Sequence, residues 1–181
     1  ECVDIAATDI ENMVKFAKDN AIDLVMVAPD DPLVLGMVDA MEKEGIRAFG
    51  PRANAAIIEG SKAFSKELMK KYNIPTANYE VFTDSTSAID YIKAQNTFPT
   101  VIKADGLALG KGVIIAQNLE EAEQAVHEMI DDGKFGKSGS RVVIEEFLTG
   151  PEVSVLAFTD GKTVKPMVSA QDHKRAYDND E

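Results

Sequence analysis

The chain contains a single cysteine, Cys2, so no disulfide can form within it, which suits a reducing compartment and points to the cytoplasm. No apolar run is long enough to cross a bilayer as a helix, and the start lacks the charged-then-apolar order of a secretion signal. Positive charge is scarce: 19 Lys and Arg face 31 Asp and Glu, a formal net charge of −12. Nucleic acid and anionic membranes both reward a basic face, so neither is expected as a partner. A local basic pocket remains compatible with that balance. Twelve glycines and seven prolines are too few for a low-complexity chain. What is left, 45% hydrophobic and 28% charged over 181 residues, is the make-up of a globular protein with a buried core. The chain opens on Glu1 rather than Met and closes in a run of charge, so it is expected to be a fragment.

Thr8 and Glu11 have capping-box spacing, and Ile10, Met13, Val14 and Ala17 follow at helical spacing, predicting a helix over about 9–19. The apolar run 24–28 reads as a short strand buried on both faces. Pro29-Asp30-Asp31 breaks it, and Pro32 with Asp31 as cap starts a second helix that Gly45 can end. Residues 46–49 read as another strand. Helix, strand, helix, strand in this order predicts the last units of an open parallel α/β domain.

A different rhythm follows Gly50-Pro51, the best boundary candidate. Ser61 caps a helix through Tyr72, and Asn73-Ile74-Pro75 stops it. Strand 79–82, helix 85–94, strand 100–104, a glycine-rich loop and strand 113–116 come next. Asn118 caps a helix with Leu119, Ala122, Val126 and Met129 inward. Residues 141–147 are strongly β-prone, and Asp160-Gly161 joins 152–160 to 162–170 as a hairpin.

The chemistry concentrates in the loop at 103–113, KADGLALGKGV. Gly106, Gly110 and Gly112 let backbone amides turn toward an anion, while Lys103 and Lys111 supply charge for phosphate oxygens. The competing reading is a hairpin connection with solvated lysines, and the loop is not a Walker A sequence. At 142–148, VVIEEFL, an apolar strand ends in two acids and two apolar residues. Such an end can meet a base edge with its backbone and cover the base with Phe147 and Leu148. Alternatively it is an edge strand whose acids face water. Asp172-His173-Lys174-Arg175 sets three basic or titratable groups beside an acid, suited to a sugar phosphate or equally to a solvated turn. Ala28-Pro29-Asp30 sits at the carboxyl end of a predicted strand, where open α/β sheets place ligands, although a turn and helix cap explains it as well. His127 reads as structural.

The order EGSKAFSK (59–66), NIPTA (73–77), VIKADGLALGKGV (101–113), VVIEEFLTGPEVS (142–154) and QDHKR (171–175) resembles that of ATP-grasp ligases. More narrowly, it is similar to the phosphoribosylamine–glycine ligase family. The resemblance implies an α/β and α+β architecture. Residues 1–50 would be the C-terminal part of an N-terminal open parallel α/β domain. Residues 51–181 would be an ATP-grasp domain with a lid subdomain at about 76–147, truncated before its C-terminal part. Lys62 and Lys103 would contact nucleotide phosphates, with Gly106, Gly110, Lys111 and Gly112 in the lid loop. Glu145, Glu146, Phe147 and Leu148 would line the adenine site, and Glu152 would bind the ribose. Pro29 and Asp30, then Asp172, His173, Lys174 and Arg175, would bind the phosphorylated substrate. At the first of these the family usually has Gly-Pro-Glu, where this chain has Ala28 and Asp30.

The implied reaction is ATP-dependent joining of glycine to 5-phosphoribosylamine through glycyl phosphate, a step of purine biosynthesis. Its partners would be small molecules, and its cofactors ATP and Mg2+ or Mn2+, with the metal ligands beyond Glu181. Chain 1–181 alone is expected to be inactive. Three readings compete: another ATP-grasp ligase or carboxylase, which should lack QDHKR; a nucleotide-binding module without turnover; and a structural domain in which Lys103 can become Ala without effect.

Overall fold

The computed structural model describes residues 2–108 and 112–171, which divide into two units, Glu1–Phe147 and Leu148–Glu181. Helix α1 (Ile10–Asp19) is capped by Asp9, whose carboxylate accepts from the backbone N–H and side-chain amide of Asn12. The expected Thr8–Glu11 box is therefore displaced by one residue. A carboxylate at the first turn is the stronger acceptor and also faces the positive end of the helix dipole. Strand β1 (Val25–Met26) pairs in parallel with β2 (Ala48–Phe49). The apolar run 24–28 is buried on one face only: Val25 and Val27 join the core, while Leu24 and Met26 are 49% and 58% exposed.

The single helix expected from Pro32 to Gly45 is two, α2 (Asp30–Val34) and α3 (Met37–Lys43). Gly36, at φ +90°, takes a left-handed conformation that no regular helix continues through. Ala17, Val27, Met37, Val38, Met41 and Ile46 form the core of this part. Helix α4 (Ala53–Gly60) is absent from the sequence expectations. Its residues ANAAII carry no polar stripe, and its cap residue Arg52 makes no side-chain capping bond, so both usual signals are missing. Helix α5 (Lys62–Lys71) starts where predicted, with Ser61 Oγ accepting from Phe64 N at 3.1 Å.

The remaining elements of this unit are β3 (Tyr79–Phe82), α6 (Ser85–Gln95), β4 (Thr100–Ala104), β5 (Val113–Ala116), α7 (Leu119–Ile130), a 3-10 turn (Gly136–Gly139) and β6 (Val142–Glu146). The four strands form an antiparallel sheet in the order β3-β6-β4-β5. Ile102, Ala104, Val142 and Ile144 pack with Ala88, Ile92, Val126 and Met129 of α6 and α7 into one core. Because side chains alternate along a strand, Val101, Lys103, Val143 and Glu145 must point to the opposite face. That alternation places the candidate site.

In the second unit, β7 (Ala157–Thr159) and β8 (Val164–Pro166) form the expected hairpin. The Asp160 carboxylate accepts from Lys162 N and Thr163 N across the turn. The regular strands are shorter than expected, but pairing resumes at Ser154–Ala170 and Leu156–Met167. Among the described residues no helix is long and apolar enough to cross a membrane.

Candidate functional site

The face of the sheet turned away from α6 and α7 carries a cluster of charge. Lys103 on β4 donates to Glu145 Oε2 on β6 at 3.0 Å, and Lys66 on α5 lies 3.0 Å from the same oxygen. Glu145 is 6% exposed, so the reading of 142–148 as an edge strand whose acids face water fails for it. Glu146 is exposed and accepts from the Asn78 amide at 2.7 Å. Cross-strand partners share a face, so Val113 stands beside Lys103 and Ile115 beside Val101 on β5. Both are apolar and open, at 43% and 47% exposure. An ammonium next to an open aliphatic pair is a surface on which a phosphorylated, flat apolar group can lie.

The second half of the site is built by Asp105, at the root of the glycine-rich loop. Its buried carboxylate accepts from Ser61 Oγ at 3.0 Å, from Ala63 N at 2.7 Å and from Arg141 Nε at 2.9 Å, and pairs with Arg141 Nη2 as well. The backbone adds Lys62 N to Asp105 O at 2.9 Å. The start of α5 is thereby fastened to the loop root, and Lys62 Nζ reaches Gly106 O at 3.0 Å. Burial pushes the Lys62 ammonium below the ordinary lysine pKa; Asp105 opposes that shift and nearby Lys103 adds to it. An anion placed here would relieve both unfavourable effects.

Lys62, Lys66, Lys103 and Arg141 thus meet two carboxylates, Asp105 and Glu145, and the site is locally positive in a chain of net charge −12. A polyanion is the ligand such an arrangement favours.

Gly106 and Gly112 are required by crowding as well as by loop geometry. A Cβ on Gly106 would lie 2.5 Å from Ser138 Oγ, and one on Gly112 would lie 2.7 Å from Ala108 Cβ. Ser138 is held in turn, with its Oγ bonded to Leu107 O and its carbonyl accepting from Gly106 N. Gly106→Ala is therefore expected to cost about 1–3 kcal/mol of stability by overpacking, read from the urea midpoint. The double variant with Ser138→Gly should regain most of that loss, and an unshifted midpoint in the single variant would contradict the crowding.

Lys62, Lys103 and Glu145 of the sequence candidates are brought together here, with Gly106 beside Lys62. Pro29 and Asp30 open α2 after β1, as the backbone cap and the first helical residue. Phe147 ends the first unit, and Leu148 and Glu152 belong to the second. Gly110 and Lys111, and Asp172, His173, Lys174 and Arg175, lie outside the described residues. Sequence reasoning missed Lys66, Asp105 and Arg141 as site builders. Lys66 and Asp105 lay inside EGSKAFSK and KADGLALGKGV, and the four-residue spacing of Lys62 and Lys66 on one helix was the available signal.

Two family profiles together match the whole chain. The one described as “Phosphoribosylglycinamide synthetase, N domain” covers residues 1–59, and “Phosphoribosylglycinamide synthetase, ATP-grasp (A) domain” covers residues 60–181. A phosphoribosylamine–glycine ligase of Halalkalibacterium halodurans is 54% identical over 180 residues, which are 99% of this chain and 42% of that protein. The crystal structure of phosphoribosylamine–glycine ligase from Thermotoga maritima matches with a TM-score of 0.68 at 39% identity, covering 75% of this chain and 34% of that one. A biotin carboxylase–β,γ-ATP complex from Campylobacter jejuni has a TM-score of 0.74 at 17% identity, over 88% of this chain and 36% of its own, and attests to the fold alone. The chain spans less than half the length of the curated relatives it matches.

Proposed function

The chain belongs to the phosphoribosylglycinamide synthetase family, with an ATP-grasp fold, and on that premise we propose that the whole protein is a phosphoribosylamine–glycine ligase of purine biosynthesis. The observation that carries this for the residues at hand is the convergence of Lys62, Lys66 and Lys103 on one sheet face beside the glycine-rich loop.

In this reading Lys62 and Lys103 neutralise the phosphates of ATP, and the loop carrying Gly106, Gly110, Lys111 and Gly112 closes over them. As the family resemblance implies, Glu145, Glu146, Phe147 and Leu148 are assigned to the adenine and Glu152 to the ribose. The Glu145 carboxylate is occupied by lysines and Glu146 N donates to Asn78 O at 3.0 Å. Base-edge recognition is therefore assigned to the backbone from Phe147 onward. Val113 and Ile115 would supply an apolar face. Pro29, Asp30, Asp172, His173, Lys174 and Arg175 are assigned to the phosphorylated substrate.

Two displacements make the product. A glycine carboxylate oxygen attacks the γ-phosphorus, the bond to the bridging oxygen breaks, and ADP leaves with that electron pair, giving glycyl phosphate. The amine of 5-phosphoribosylamine then attacks the acyl carbon, inorganic phosphate departs, and the nitrogen gives up a proton as the amide forms. The protein's part is positioning and charge neutralisation. Exclusion of water protects the acyl phosphate. Mg2+ or Mn2+ is expected with ATP. Among the described residues no group of three or more His, Cys, Asp or Glu side chains can hold a metal ion, so no ligand to it is assigned here. Small-molecule substrates and a cytoplasmic setting belong to the same proposal.

The test is ADP release by the full-length protein with glycine and phosphoribosylamine omitted in turn. Release should collapse without glycine and stall without the amine. Undiminished release in the absence of both would exclude the ligase.

A further inference from the structure

A lysine ammonium has three donors, and that of Lys66 donates two hydrogen bonds and makes an ion pair within the protein. Its Nζ lies 2.8 Å from Thr76 Oγ1, 3.3 Å from Ala77 O and 3.0 Å from Glu145 Oε2, and it sits 5.5 Å from the centroid of the Tyr79 ring. The side chain is 9% exposed. Buried and held by these three neighbours, the ammonium faces into the protein rather than toward a ligand. Lys103 differs: it is 27% exposed and, among the described residues, its ammonium pairs with the Glu145 oxygen alone. One carboxylate oxygen, Glu145 Oε2, thus serves two lysines, one buried and held within the protein, the other more exposed.

We propose that Lys66 is a positioning residue: by holding Glu145 Oε2 from within the protein, it keeps that carboxylate from claiming the charge of Lys103, which stays available to an incoming phosphate. The proposal rests on the assignment of Lys103 to nucleotide phosphate. Without Lys66, Glu145 is left buried with a single cation. In a low-dielectric setting the pair would tighten and the charge presented to phosphate would fall. Lys66 acts only through Glu145, so its effect must vanish when Glu145 carries no charge.

The experiment measures ATP and adenosine affinity of the full-length protein and of four variants, Lys66→Met, Lys103→Met, Glu145→Gln and the double variant Lys66→Met/Glu145→Gln. Lys66→Met is expected to weaken ATP about tenfold, the scale of one partly buried charge contact, while adenosine stays within about twofold because it carries no phosphate. In the Glu145→Gln background the same substitution should leave ATP affinity within about twofold. That comparison holds even where the single variant folds poorly, since the double variant leaves no orphaned carboxylate.

A parallel loss of ATP and adenosine affinity means that Lys66 merely supports the fold, and overturns the proposal. So does a tenfold further loss of ATP affinity on adding Lys66→Met to Glu145→Gln. If Lys103→Met weakens ATP but Lys66→Met does not, the positioning role fails while the phosphate site stands. If the unaltered protein binds no ATP, both fail together.

Discussion

Lys103→Met in the full-length protein is expected to lower kcat/KM for ATP by about two to three orders of magnitude, the usual loss when a charge-stabilising group is removed from a developing anion. The side chain projects from the centre of a four-stranded sheet, beside open Val113, and is turned by alternation away from the α6–α7 core. Folding should survive. Glu145 keeps Lys66 as its partner at 3.0 Å, so no carboxylate is stranded, and a methionine can lie along the path of the lysine stem. The melting temperature is expected to change by only a few degrees while activity collapses. Steady-state kinetics alongside thermal melts check both halves. Unchanged kcat/KM would return Lys103 to the status of a structural lysine, as the purely structural reading requires.

The largest expected effect on stability is at Asp105. Asp105→Ala removes the acceptor for Ser61 Oγ, Ala63 N and the Nε and Nη2 of Arg141 at once. Breaking a buried ion pair from one side costs about 3–5 kcal/mol. The Arg141 side chain is 43% exposed and can recover some hydration, which places the expectation near the lower end, about 3 kcal/mol. The effect should not stop at stability. Asp105 fastens the start of α5 to the loop root, so Lys62 loses its register against Gly106, and KM for ATP should rise even where the variant remains folded. Urea denaturation read with ATP titration separates the two. Asp105→Ala with an unmoved denaturation midpoint would show that the carboxylate is not the fastening point.

Local structure was legible wherever a signal acts within a turn or a strand. Ser61 and Asn118 announce their helices because a cap's oxygen meets a backbone N–H three residues on. Strands 79–82, 100–104 and 113–116 stand where apolar and β-branched runs meet turn residues. The Asp160-Gly161 turn closes through bonds to the next two or three residues. Helix α4 stayed hidden because neither its cap nor its face carries a local mark, and α2 and α3 were merged because a glycine inside a periodic run looks tolerable until its φ is known.

The site was legible in its residue types but not in its pairings. Lys62, Lys103 and the glycines of KADGLALGKGV were marked by composition and by resemblance, and the structure brings Lys62 and Lys103 to one face. Glu145 was marked for a base-binding strand end, whereas its carboxylate turns to the lysines. The partners lie far apart in sequence: Lys103 and Glu145 are 42 residues apart, Asp105 and Arg141 36, Ser61 and Arg141 80. No local periodicity reports which of these meet. The register of β4 against β6 decides it, because a slip of one residue in either strand would turn that strand's charged side chain, Lys103 or Glu145, into the α6–α7 core.

What the sequence by itself determined is most of the run of elements, α4 and the break between α2 and α3 apart, with the loop's residue types and the family resemblance, all of which follow from neighbouring residues and their order. What only the tertiary structure decided is that one glutamate oxygen holds two lysines and that one aspartate ties a helix start to the glycine-rich loop. Hydrogen-bond caps and side-chain alternation act over a few residues, whereas ion pairs across a sheet exist only after the strands have chosen their register.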